Sequence, residues 1–142
     1  MTYDYPYEKG TTPEPDYKLT PNFRYREFFC HGIEPPEKYF DNVMQCAIQL
    51  QKVRDLIKKP IIITSAYRTK EYNAKIGGAK YSQHLTASAV DSHAKGLDIK
   101  IYLTYLVRYA TEFNGFCIGN GISPHNLIHA DLRDKFWVDV YK

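Results

Sequence analysis

The sequence predicts an α+β domain in which a small antiparallel sheet is flanked by two long helices. Three observations carry this expectation. Two segments repeat apolar residues near helical spacing. A handful of short, mostly non-alternating β-branched or apolar runs lies around them. The 142 residues suit one compact domain that can bury a core without staples.

The elements follow in chain order. Residues 1 to 21 hold Pro6, Pro13, Pro15, Pro21 and Gly10 with no apolar period, so they read as an extended or flexible arm before a domain spanning 22–142. Phe23, Phe28 and Phe29 are the first apolar anchors. Pro35 and Pro36 precede a long helical pattern, where proline costs little. Phe40, Val43, Ala47, Leu50, Val53 and Ile57 mark its buried face. Lys58 and Lys59 suit the carboxyl end of the helix dipole, and Pro60 stops the helix.

Ile61 to Thr64 reads as a buried strand. Thr69 to Lys75 reads as a short helix, capped by Thr69 with Glu71 in the first turn and ended by Gly77 and Gly78. A loop then runs to about Thr86, and Ala87 to His93 has the pattern of a strand. Leu97 to Phe113 is the second long helix, with Ile101, Tyr105, Val107 and Tyr109 expected inside. Phe116–Ile118, Leu127–Asp131 and Phe136–Val140 complete the strands.

Composition narrows the function. Hydrophobic residues make up 44% and charged residues 25% of the chain, both ordinary for a soluble globular protein. Aromatic residues reach 15%, with 13 tyrosines, which suits half-buried walls and clefts. A net charge of +3 is too small to argue for nucleic acid. Cys30, Cys46 and Cys117 are widely spaced with no CxxC, so they are expected as small buried hydrophobes rather than as a disulfide framework or a cysteine-rich zinc site. No apolar run reaches transmembrane length, and no signal-peptide pattern opens the sequence. Synthesis in a cytoplasm is therefore expected, with no membrane insertion and a monomer favoured. Action outside the membrane would need another agent, such as phage lysis, for release.

A catalytic zinc ion takes three ligands from His, Asp and Glu and keeps one position open. His84 in a loop, Asp91 on the next strand and His129 on a later strand can supply them. On spacing alone, the same residues also fit a solvated histidine, a core histidine and a loop-capping aspartate.

The motifs around them are more specific. Thr64-Ser65-Ala66-Tyr67-Arg68-Thr69, Tyr72-Asn73 and Gly77-Gly78-Ala79, then Ser82-Gln83-His84, Ala89-Val90-Asp91 and His129-Ala130-Asp131-Leu132-Arg133, occur in that order. With Phe23, Glu27-Phe28 and Leu50-Gln51-Lys52-Val53-Arg54, they resemble the zinc D-Ala-D-Ala carboxypeptidase-like metallopeptidases, over about Asn22 to Trp137. That fold is shared with the amino-terminal domain of hedgehog proteins.

The resemblance implies a zinc peptidase acting on peptidoglycan stem peptides, of the phage or bacterial cell-wall type. His84, Asp91 and His129 would hold Zn2+. Arg68 matches the arginine that steadies the substrate, although a surface ion pair would also explain it. Ser82 matches a serine lining the substrate site, and a loop-shaping hydroxyl suits it equally. Asp131 is expected to orient a ligand histidine or to bond backbone, and it joins His125 and His93 as a candidate general base. Tyr67 is expected to pack.

Two departures from the family pattern stand out. Ala87 replaces a usual glycine, a small change if its backbone angles are ordinary. Asn126 stands where many members carry an acidic base, and a neutral amide cannot take a proton. The alternative expectation is thus a non-catalytic, zinc-bearing, cell-wall-binding or structural module of the same fold.

Overall fold

The computed structural model describes residues 11–119 and 126–140. The chain begins as a short antiparallel hairpin of β1 (Lys18–Thr20) and β2 (Phe23–Arg24). The packed region therefore starts inside the expected arm, because Leu19 is buried in the core. Asn22 in the turn is held from the first long helix: its N–H donates to Gln51 Oε1 at 2.9 Å, and Gln51 Nε2 donates to Asn22 Oδ1 at 2.8 Å.

That helix, α1 (Phe40–Ile57), buries Phe40, Val43, Ala47, Leu50 and Val53 as its periodicity predicts, together with Cys46, Gln49 and Gln51. The buried glutamines have partners: Gln49 Oε1 accepts the N–H of Glu112 at 3.2 Å. Lys58 ends the helix in the left-handed region at φ 54°, and Pro60 follows.

The main sheet has five strands: β3 (Ile61–Ser65), β4 (Ala89–Ala94), β5 (Gly115–Ile118), β6 (Ile128–Asp131) and β7 (Trp137–Val140), in the order β3-β4-β6-β5-β7. The first four pair antiparallel, as expected, but β7 lies parallel to β5. The reason is topological. β5 and β7 both run opposite to β6, so when the chain turns back from β6 and settles outside β5, those two strands must be parallel. β3 is only half buried, with Ile62 exposed, because it is an edge strand of the sheet.

Between β3 and β4, Thr69 caps α2 (Lys70–Lys75) by accepting the N–H of Tyr72 at 3.1 Å. A 3-10 turn follows at Gln83–Thr86. After β4, Asp98 accepts the N–H groups of Lys100 and Ile101 and starts α3 (Ile99–Tyr109). Tyr102 and Leu106 of α3 are buried, Ile101 and Tyr109 are exposed, and Tyr105 and Val107 are half-buried and pack against the core. The expected inner face of α3 is thus corrected at Ile101 and Tyr109, while Tyr102 and Leu106 join it. The Tyr102 hydroxyl reaches Ser92 Oγ on the back of β4 at 2.8 Å, so a polar tip is satisfied inside the core.

Cys30, Cys46 and Cys117 are buried, as expected of small apolar side chains. Among the described residues, no helix is long and apolar enough to cross a membrane.

Candidate metal centre

β4 and β6 are neighbours, and their register sets Asp91 directly opposite His129. His84 arrives from the 3-10 turn ahead of β4. Ser82 Oγ caps that turn by accepting the His84 N–H at 3.2 Å. His84 O in turn accepts the Arg68 N–H at 3.0 Å. Ala87 closes the turn at φ 57°, which is the left-handed region rather than an ordinary angle. This corrects the expectation for Ala87: the geometry favours the glycine that it replaces.

The three side chains converge. Asp91 Oδ1 lies 3.2 Å from His84 Nε2 and 2.9 Å from His129 Nδ1. One ligand atom from each residue falls within 4.8 Å of the others, a group that could hold a metal ion. His84 and Asp91 are buried, while His129 is partly exposed to the cleft.

Each ligand is held from behind. His84 Nδ1 lies 2.6 Å from Ala66 O, so an N–H there donates to the carbonyl and leaves Nε2 free as a ligand. Arg68 Nη2 donates to Asp91 Oδ2 at 3.2 Å and leaves Oδ1 toward the imidazoles. His129 Nε2 bonds Asp131 Oδ2 at 2.7 Å, while Arg133 donates to both oxygens of Asp131 from Nε and Nη2, at 2.7 Å each.

The electrostatics follow from these contacts. Burial alone would raise the Asp91 carboxyl, but the His84 and His129 imidazoles outweigh it and hold the group well below the usual carboxylate range. Burial also opposes ionisation of Asp131, and Arg133 and His129 overcome it in the same way. Burial would lower the His129 imidazole, yet its hydrogen bonds to Asp131 and Asp91 push it up to about 9. Without metal, His129 is a cation between two carboxylates. Imidazole, imidazole and carboxylate are the donor set of a catalytic zinc site.

A cleft of about 630 Å³ lies over the cluster, lined among others by Arg68, Ser82, His84, His129, Asp131, Arg133 and Trp137. Ser82 thus lines the cleft as well as shaping the turn. Arg68 is 6% exposed and bonds Ser65 Oγ, Asn73 Oδ1 and Asp91, a busier place than a surface ion pair. Asp131, a candidate base in the sequence reading, is fully buried with both oxygens engaged. A second cleft adjoins at Arg68, and Tyr67, His93 and Asn126 line it. His125 lies outside the described residues.

Three further residues, for which the motifs alone imply no role, also build the site. Asn73 Nδ2 donates to Ala79 O at 2.9 Å while its Oδ1 receives Arg68. Arg133 and Trp137 form a cation–π pair at 4.5 Å. The period-2 alternation of His129, Asp131 and Arg133 is the signal that could have found Arg133.

Comparison with known proteins agrees with the ordered motifs. No curated protein matches the chain in a direct sequence search. A family model described as Peptidase M15 matches residues 21–131, which include all three converging residues and every strand of the sheet except β7. The chain belongs to the peptidase M15 family.

Proposed function

We propose that the protein is a zinc-dependent peptidase that cleaves peptidoglycan stem peptides, in the manner of a D-Ala-D-Ala carboxypeptidase or a related endopeptidase. The family supports a metal-dependent hydrolase. The observation that carries the reading is the convergence of His84, Asp91 and His129 on one point at the floor of a cleft.

Zinc bound there would supply Lewis-acid polarisation of the scissile carbonyl and activation of water. The chain's own groups prepare the site. Ala66 O and Asp131 fix which nitrogen each histidine presents, and Arg68 fixes the Asp91 carboxylate. Asp131 serves as an orienting group, because a carboxylate held so acidic by Arg133 and His129 is a poor proton acceptor. Ser82 lines the cleft that would take the substrate, and Arg68 forms part of its wall. His93 lies two residues beyond Asp91 on the same strand face, beside Asn126 in the adjoining cleft. It stands with His125 as a candidate base, and a His93→Gln variant that keeps the full rate would remove it.

The test is direct. Protein stripped by chelator should release no D-alanine from an acyl-D-Ala-D-Ala peptide, and no product from purified peptidoglycan. Zinc should restore release, and His84→Ala should lose both metal and activity. Failure of zinc-loaded protein to cleave either substrate over hours at several pH values would sink the reading. The second reading, a non-catalytic zinc-bearing cell-wall module, is favoured by Asn126, which cannot act as a base. It expects zinc retention and peptidoglycan binding without release.

A further inference from the structure

One wall of the cleft lies beyond the family match. Arg133 and Trp137 line it, and both follow residue 131, where the match ends. The turn after β6 and the first residue of β7 supply this wall. Trp137 pairs with Gly115 on β5, and its N–H donates to Asn114 O at 2.7 Å.

The Arg133 guanidinium is held on two sides. One edge bonds both oxygens of Asp131, and one face lies against the Trp137 indole. Arg133 Nη2 and His129 Nε2 share Asp131 Oδ2 at 2.7 Å each, so the guanidinium sits within two hydrogen-bond lengths of the imidazole. Its side chain is 33% exposed, and among the described residues its Nη1 has no hydrogen-bond partner. Arg68 differs, being almost fully buried with Nε, Nη1 and Nη2 all engaged.

Charge points the same way. Asp91 and Asp131 are balanced by Arg68 and Arg133, so the charge of a bound divalent ion would remain to attract an anion. A rigid guanidinium with free N–H groups suits a carboxylate, which it can grip with two bonds.

We propose that Arg133, held flat by Trp137, binds the free carboxyl-terminal carboxylate of the peptide and so gives the site its preference for chain ends over internal peptide bonds. This deepens the peptidase reading above and rests on it. The substrate class is a peptide with an unblocked carboxyl terminus.

The experiment compares an acyl-D-Ala-D-Ala acid with its carboxyl-terminal amide. Binding to zinc-loaded protein is measured by calorimetry, and kcat/KM is measured alongside. Wild type should favour the acid by about tenfold or more, the scale of a charged hydrogen bond. Arg133→Gln should cut that preference sharply by weakening the acid far more than the amide, with both peptides compared at saturating zinc. Arg133→Lys should retain part of the preference, and Trp137→Ala should reduce it. Equal weakening of acid and amide in Arg133→Gln, or a loss traced to poorer zinc binding, would show that Arg133 only positions Asp131 and would overturn the inference while leaving the peptidase reading intact. A wild type that neither binds nor cleaves either peptide would overturn both, and that result needs no variant.

Discussion

Raising the pH of the metal-stripped protein should destabilise it, because His129 is then a half-buried proton carrier. Its imidazole is pushed from 6.5 to about 9 in the folded state by the carboxylates of Asp131 and Asp91. Below pH 6.5, folded and unfolded chains both hold this proton, and the full stabilisation is present. As pH rises toward 9, the unfolded chain has lost the proton while the folded chain must keep it, so stability falls. The difference corresponds to about 3 kcal/mol, at 1.36 kcal/mol per pH unit. Asp91 and Asp131, both held below the ordinary carboxylate range, stay ionised throughout this window and add no slope.

A metal ion takes the place of the proton on Nδ1. Metal-loaded protein should therefore show no such fall, and loading should release about one proton at pH 7 to 8. Apparent affinity should rise about tenfold per pH unit up to about pH 9. Urea unfolding of chelated protein from pH 6 to 9.5 reads the first effect. Calorimetric zinc titration in buffers of different ionisation enthalpy reads the second. Flat chelated-protein stability, together with no proton release, would refute the placement of His129 as a cation between two carboxylates.

Variants at two further positions, Ala87 and Gly115, follow from backbone geometry. Ala87→Gly should change stability by less than about 1 kcal/mol, because relief at positive φ is offset by lost methyl burial and a freer unfolded chain. Ala87→Val, β-branched at the same angle and buried, should cost at least about 2 kcal/mol in urea unfolding, and an unchanged midpoint would contradict the strain argument. Gly115→Ala would drive a methyl group into the Asp131 carboxylate and Arg133 Nε. It should cost about 1–3 kcal/mol and weaken zinc binding by freeing His129. A variant normal in both thermal unfolding and zinc titration would show that Asp131 does not orient that histidine.

The parts of the fold legible in the sequence are those with local signals. α1 announced itself through a repeating apolar face and Pro60, and β3 to β6 through short apolar runs between turn residues. The β1–β2 hairpin was not legible because strands of three and two residues have no period to read. It is held by Gln51 reaching the turn at Asn22, a contact 29 residues apart. The inner face of α3 was misread because apolar residues lie on several sides of it, Ile101, Leu103, Tyr105 and Val107 among them, and packing against α1, β4, β5 and β6 selects Tyr102 and Leu106.

At the site, the order of His84, Asp91 and His129 was visible, as was the proximity of Asp131. The busy environment of Arg68 was not, because Asn73 meets it only after α2 folds back. The strain at Ala87 depends on an angle that no composition encodes. Arg133 and Trp137 come together across a turn, through a pairing set by the reversal from β6 to β7.

The two histidines meet Asp91 through different ring atoms, and this makes the centre a matter of reach. His129 stands on the strand beside Asp91, where neighbouring backbones lie only about 4.8 Å apart, and it offers the nitrogen nearer its own main chain, Nδ1. His84 comes from a turn outside the ladder and offers the farther one, Nε2. The amide of asparagine ends near the first distance and that of glutamine near the second. Asn at 129 and Gln at 84 would thus keep a donor atom in place where the reverse pairing would leave one short and the other crowded. Strand spacing, rather than the identity of the imidazole, decides how long each arm of the centre must be.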